Sequence, residues 1–427
     1  MNAGVVLFIA LFALCLINVP IAFAMGISSM IAIFYAGYPM ALLGTKVYEG
    51  LNEYTMIAIP MFMLAGDLMG KGGLSERILD FSKAIVGWVK GSLAMTSIVA
   101  CGIFASMTGS GVATAAAIGG LVIPQMKKDG YKPEFAAAVT ASASVLGPII
   151  PPSIPLIVYA SMMGMSVFRL FVGTLIPGLL CMAGLLLYTG IFAHFKKLPK
   201  DDWGGWGRVW KTFRRGFFAL MLPLIILGGI YMGAFTTTEG AVIAVAYSLF
   251  IGTVIYKELK FSEVVRAVLN TSIVTAMMML AMGAGVLTNW IVAVSRLSNM
   301  VANYLTGISS SPLLFIIFLN IFVLIVGIYI DPNPGVILLT PLLAPVAMAF
   351  GMDSVTFGVI MCFNLTIGMI TPPSAAPLMM CSQLAQAPIL KTTIAILPFM
   401  GVQIFVLYLV SFFPKLITWL PSVLGVM

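Results

Sequence analysis

Four short stretches carry the residue types that could hold a cation inside an otherwise apolar chain. Two are rich in small and polar residues, SMTGSG (106–111) and DPNPG (331–335). Two are rich in proline, GPIIPPSIP (147–155) and GMITPPSAAP (368–377). Proline lacks the backbone N–H and interrupts a helix, so each proline stretch leaves carbonyl oxygens without helical partners. Hard cations such as sodium take oxygen ligands from carbonyls, hydroxyls and carboxylates. Pairing each polar stretch with its neighbouring proline stretch gives two candidate cages. The first joins Ser106, Thr108, Gly109 and Ser110 to Gly147, Pro148 and Ser153. The second joins Asp331, Asn333 and Gly335 to Gly368, Thr371 and Ser374. For any single serine or threonine, back-bonding to its own helix or capping is the competing explanation.

Two charged residues stand apart. Asp331 is the one carboxylate expected at mid-membrane, where an acid is costly and marks function, although Asp-Pro-Asn-Pro-Gly is also a plain turn sequence. Arg296 is the only Lys or Arg between Arg266 and Lys391, so it does not serve to set topology. Its guanidinium suits a carboxylate-bearing ligand through a bidentate pair, or it snorkels from an interfacial helix. Arg296, Asp331, Ser110 and Ser153 are the candidate substrate contacts.

The elements that position these residues follow from composition. The chain has 427 residues, 61% hydrophobic and 8% charged, against roughly 25% charged in a soluble domain. Apolar windows of about 20 residues, the length that crosses a bilayer, recur along nearly all of it. An all-α polytopic membrane protein is expected. The net charge of +8 is not arranged as a nucleic-acid groove: the cations sit in short segments between apolar runs, as the positive-inside rule expects. The cysteines, Cys15, Cys101, Cys181, Cys362 and Cys381, have no paired spacing and suggest neither a disulfide framework nor zinc. His194 reads as an interfacial residue. No nucleophile–base pair or nucleotide loop appears, and GDLMGKGG (66–73) lacks the spacer and hydroxyl of a phosphate loop; an enzyme is not expected.

The segment 194–216 holds seven of the 22 Lys and Arg residues and three tryptophans, which marks a cytoplasmic connector. Residues 4–36 are expected as one span kept in the mature protein, since no Lys or Arg precedes Lys46 to form a signal peptide's n-region; the N-terminus is placed in the cytoplasm. Residues 71–90 are expected as an interfacial amphipathic helix, and 393–420 as a last span. Residues 92–128 and 312–350 each split into apolar halves of about sixteen residues, too short to cross singly. Each is expected as a re-entrant hairpin with its tip at mid-membrane. Thr236 and Glu239 have capping-box spacing.

The chain also repeats. Pro151-Pro152-Ser153 returns as Pro372-Pro373-Ser374, 221 residues later. The same offset pairs Pro124 with Pro345, Gly130 with Gly351, Gly147 with Gly368, and Ser110 with Asp331. Flanking charges start the two copies from opposite sides, which makes them inverted repeats, and interrupted segments at matching positions of inverted halves point to a transporter's site. The expected organisation is scaffold spans and an interfacial helix (1–91), a first repeat of hairpin, broken helix and span (92–195), a connector with further scaffold spans and a second interfacial helix (196–311), and a second repeat (312–427).

GSGVATAAAIGGLVIPQMKKDGYKPEFAAAVTASASVLGPIIPPSIPLIVYA (109–160), GAFTTTEGAVIAVAY (233–247) and IGMITPPSAAPL (367–378) resemble the large membrane (M) subunit of tripartite ATP-independent periplasmic (TRAP) transporters. The likeness covers essentially the whole chain. It implies an elevator-type fold of the ion-transporter superfamily, in the bacterial inner membrane, that imports an organic acid such as a C4-dicarboxylate or sialic acid. It further implies coupling to Na+ at about two sites, formed by 106–111 with 147–153 and by 331–335 with 368–374, and substrate contacts at Arg296 and Asp331. The implied partners are a separate small four-helix membrane (Q) subunit and a periplasmic substrate-binding (P) protein. A standalone cation antiporter or anion permease of the same superfamily is the alternative.

Overall fold

The computed structural model describes residues 2–308 and 311–426. Helices fill it, and no strand occurs among the described residues. Their order follows the glycine and proline punctuation of the sequence. The first five are α1 (Ala3–Leu16), α2 (Ile21–Tyr35), α3 (Ala41–Leu51), α4 (Ala58–Lys71) and α5 (Leu74–Val86). The first half of the repeat follows as α6 (Ser92–Thr108), α7 (Gly111–Lys128), α8 (Pro133–Ser144), α9 (Ile154–Met163) and α10 (Val167–Phe195). Then come α11 (Gly205–Tyr231), α12 (Thr237–Phe250), α13 (Phe261–Val294) and α14 (Leu297–Ile308). The second half runs α15 (Pro312–Tyr329), α16 (Pro332–Ala349), α17 (Ser354–Gly368), α18 (Ala376–Ala385), α19 (Ile389–Phe412) and α20 (Lys415–Val423).

The internal offset reappears in the helix boundaries. Moved by 221 residues, Gly111–Lys128 falls on Pro332–Ala349, and Thr108, the end of α6, falls on Tyr329, the end of α15. Pro151–Pro152 and Pro372–Pro373 are both cis peptide bonds. The halves interleave: α7 and α8 pack on α18, α16 packs on α9, and α10 packs on α19 and α20. One apolar core runs through both, from Phe104 and Tyr159 to Phe363 and Phe399. Around it, α13 lies against α2, α3, α4 and α16, and α4 lies against α12.

Two expected spans are divided. Residues 4–36 form α1 and α2, which fold back on each other. Asn18 takes a left-handed φ of 64° and Pro20 opens α2, so the chain turns where a straight span was expected. At 1.5 Å per residue each helix is about 21–23 Å long, short of a bilayer core of about 30 Å. Residues 393–420 likewise divide at Pro414 into α19 and the short amphipathic α20. The connector is shorter than expected, because α11 begins at Gly205. It is held by the Lys83–Asp201 ion pair at 2.9 Å and by edge-on contacts of Trp203 with Trp88 and Trp206.

Other expectations match. Helix α5 is amphipathic, bent 72° from the helical run Tyr54–Lys71, with Ile78, Leu79 and Ser82 buried. The Thr236–Glu239 capping box is formed. The first break falls at 109–110, within the expected tip 106–111. The second instead falls at 330–331, at the edge of the expected tip 331–335, of which residues 332–335 form the first turn of α16 because proline is tolerated there. The second hairpin is closed at its base by Phe315 stacked on Phe350, with ring centroids 4.3 Å apart and planes 4° from parallel. Its two helices depart from the expected halves of about sixteen residues: each has 18 and is long and apolar enough to cross a membrane singly, because the second starts at Pro332, inside the expected tip. Seven helices meet that test among the described residues.

Candidate functional site

The first tip is built by helix ends. Thr108 closes α6, Gly109 turns the chain at φ 62°, and Ser110 caps α7 by accepting from the Ala113 N–H at 3.4 Å. Thr114 Oγ1 donates to the Ser110 carbonyl at 2.8 Å and lies 3.2 Å from Thr108 Oγ1. The tip is therefore a self-bonded hydroxyl cluster.

Behind it lies the first proline loop. The N–H groups of Gly147, Ile149 and Ile150 are satisfied in local turns, Gly147 to Ser144 O at 2.9 Å and Ile150 to Leu146 O at 2.8 Å. Each proline adds a carbonyl with no matching donor, so the loop is rich in acceptors. Ser153 is fully buried and donates to the Pro148 carbonyl at 2.5 Å. Tip and loop touch backbone to backbone: a Cβ on Gly109 would stand 2.7 Å from the Pro152 carbonyl oxygen. One on Gly147 would stand 2.7 Å from that of Ser110. Only glycine admits this approach.

The second tip differs. Asp331 precedes α16 without capping it. Asn333 Oδ1 is buried with no hydrogen-bond partner, as is Ser374 Oγ of the second proline loop. Such orphaned acceptors in a buried setting are uncommon, and oxygens of this kind fit a hard cation. Thr371 instead back-bonds to Ile367 O at 3.2 Å, and Ser106 to Ile103 O at 2.6 Å. Gly368 packs on Gly327 of α15 rather than on the tip, a Cβ there standing 2.3 Å from the Gly327 carbonyl carbon.

Both tips open onto one cavity of about 910 Å³. Thr108, Gly109, Ser110, Pro148, Asp331 and Asn333 line it. Ser106, Gly147, Ser153, Gly335, Gly368, Thr371 and Ser374 do not. Arg296 is also outside this lining: it is exposed, at φ 54° in the turn between α13 and α14. Its isolation in the sequence gave no measure of its distance from the tips. What the sequence reading missed is the wall beside the tips, which Asp67 and Lys71 of α4 share with Asn270 and Thr271 of α13. Their signal was available as an acid and a base four residues apart in an apolar helix, at the junction of the glycine-rich stretch 66–73 and the expected interfacial segment 71–90.

No cluster of three or more His, Cys, Asp or Glu able to hold a metal occurs among the described residues, and the cysteines are free. A cation here would be held by carbonyl, hydroxyl, amide and single-carboxylate oxygens. Helix dipoles add to this: α6 and α8 bring carbonyl ends and α7, α9 and α16 bring N–H ends, so cation and anion can be met side by side.

Comparison with known proteins follows this geometry. Residues 8–416 match the family described as "Tripartite ATP-independent periplasmic transporter, DctM component". The chain is 36% identical to the C4-dicarboxylate TRAP transporter large permease protein DctM of Vibrio cholerae, over 99% of this chain and 98% of that protein. It is 37% identical to the sialic acid TRAP transporter large permease protein SiaM of the same organism, over 88% of each. Among solved structures, the Alcanivorax borkumensis YdaH transporter superposes with a TM-score of 0.61 at 14% identity, covering 87% of this chain and 86% of that one; this is a likeness of fold.

Proposed function

From the premise that this chain belongs to the large-permease, DctM-component family of tripartite ATP-independent periplasmic transporters, and is a multi-pass membrane protein and not an enzyme, we propose that it imports an organic acid by sodium-coupled secondary transport. The observation that carries this reading is the shared cavity, where interrupted helices from two halves of one chain meet. The proposed substrate is a carboxylate of the kind named for the relatives, a C4-dicarboxylate or sialic acid.

Charge supports the coupling. The cavity wall holds two carboxylates, Asp67 and Asp331, and one ammonium, Lys71. A carboxylate substrate entering so negative a space needs cations with it. Sodium at the two tips meets that need, one ion on the carbonyl-rich first tip and loop, the other on the second tip with Asp331, Asn333 and Ser374. The inverted repeats form the moving body and the helices before and between them the fixed scaffold, which is an elevator. In this reading the chain lies in the inner membrane, its N-terminus in the cytoplasm. The words "tripartite" and "large" in the family and relative names support two partners, a small membrane subunit and a periplasmic binding protein.

The test is uptake of labelled succinate and N-acetylneuraminate into liposomes carrying the permease with its small subunit, with binding protein outside. Accumulation that requires both an inward sodium gradient and the binding protein is the expected result. Equal uptake without binding protein would favour a standalone permease, and equal uptake without sodium would overturn the coupling.

A further inference from the structure

We propose that Lys71 receives the substrate's carboxylate, exchanging it against Asp67; this rests on the organic-acid reading above. Asp67 and Lys71 stand one turn apart on α4 and pair at 2.9 Å, both side chains about one-third exposed. Both line the cavity onto which the two tips open. Helix α4 also packs against the first tip, since a Cβ on Gly66 would stand 2.9 Å from Thr108 Cγ2. Among the described residues lining the cavity, Lys71 is the only cation, and Arg296 lies elsewhere.

Stability does not account for this pair. An i,i+4 ion pair adds little to a helix, and drawing two charges out of water is costly. Charged groups kept in such a setting mark substrate or ion pathways. An ammonium lining a largely apolar cavity needs a counter-charge, and Asp67 supplies it. A substrate carboxylate is a second anion that competes for the same ammonium, so binding becomes an exchange of partners with no charge left bare. Asn270 and Thr271, which also line the cavity, offer amide and hydroxyl groups for the remainder of a polar acid.

The experiment uses the reconstituted complex and labelled succinate and N-acetylneuraminate. Lys71→Cys is expected to lower uptake at least about tenfold, the loss of one charge-assisted pair. Aminoethyl methanethiosulfonate, which rebuilds a cationic chain at position 71, is expected to restore it; the neutral ethyl reagent is not. Asp67→Asn, which removes the competitor, is expected to lower the half-saturating substrate concentration. Should Lys71→Cys fail to reach the membrane, Lys71→Arg and Lys71→Gln give the same contrast, with uptake kept by arginine and lost by glutamine. Active wild type together with equally active Lys71→Cys or Lys71→Gln overturns this proposal alone. Wild type that takes up neither acid overturns the organic-acid reading and this proposal with it.

Discussion

The two tips occupy matching positions in the repeat and are built on different chemistry. At the first, Thr108, Ser110 and Thr114 bond one another, and Gly109 and Gly147 press the tip against its own proline loop. What remains there for a ligand is backbone carbonyl. At the second, Asn333 keeps an unpartnered side-chain oxygen on the same cavity wall as the carboxylate-bearing Asp331, and Ser374 of the proline loop keeps another. Its matching glycine, Gly368, is used to seat α15 on α17. The matching positions thus share an interrupted helix but differ in the oxygens they leave available: one half offers main chain, the other side chains.

This contrast can be broken by substitution. Gly368→Ala should have the largest effect. Its Cβ meets main chain that cannot rotate away, and overpacking of this kind costs typically 1–3 kcal/mol or more. Loss of folded protein in thermal unfolding by fluorescence-detected chromatography is expected, whereas a folded, fully active variant would show that the α15–α17 contact is slack. Gly147→Ala comes next. It parts the first tip from its loop, so transport should fall about tenfold or more while folded protein is largely retained, as measured by uptake per mole of protein in the membrane. Asn333→Ala should leave stability unchanged or slightly raised, because it removes a buried polar atom that has no partner. It should nevertheless raise the half-saturating sodium concentration severalfold; an unchanged sodium response would remove Asn333 from the proposed site. Smallest is Ser153→Ala, which deletes one buried hydrogen bond worth about 1 kcal/mol and should appear chiefly as a lowered melting temperature.

The parts of the molecule legible in its sequence are those where proline and glycine act locally. The break at 109–110, the opening of α9 and α18 after the proline loops, and the register of the two halves follow from residues that cannot sustain a helix, whereas at 330–331 Pro332 and Pro334 open α16 rather than interrupt it. Pro20 and Pro414 are the same signal in weaker form. A lone proline in an apolar run reads as a kink, and only Asn18 in a left-handed conformation and the packing of α1 on α2 turn the first into a reversal. Arg296 lies outside the cavity lining, and isolation along a chain says nothing of position in space. The Asp67–Lys71 pair sits in the opposite situation, obscured by lying where a glycine-rich stretch meets an expected interfacial segment. Which oxygens stay unpartnered, such as Asn333 Oδ1 against Thr371 Oγ1, depends on rotamers and neighbours that no spacing reveals.

The central claim is that the two tips face a common space and close on sodium together. Ala113 beside the first tip and Pro334 within the second both line the cavity, and each can be replaced by cysteine in turn. The partly buried Cys15 is changed to serine, and the other native cysteines are buried. The rate of maleimide labelling is then measured in sodium and in potassium. Slower labelling at both positions in sodium is the outcome expected here; rates that are the same in the two salts at both positions would contradict it.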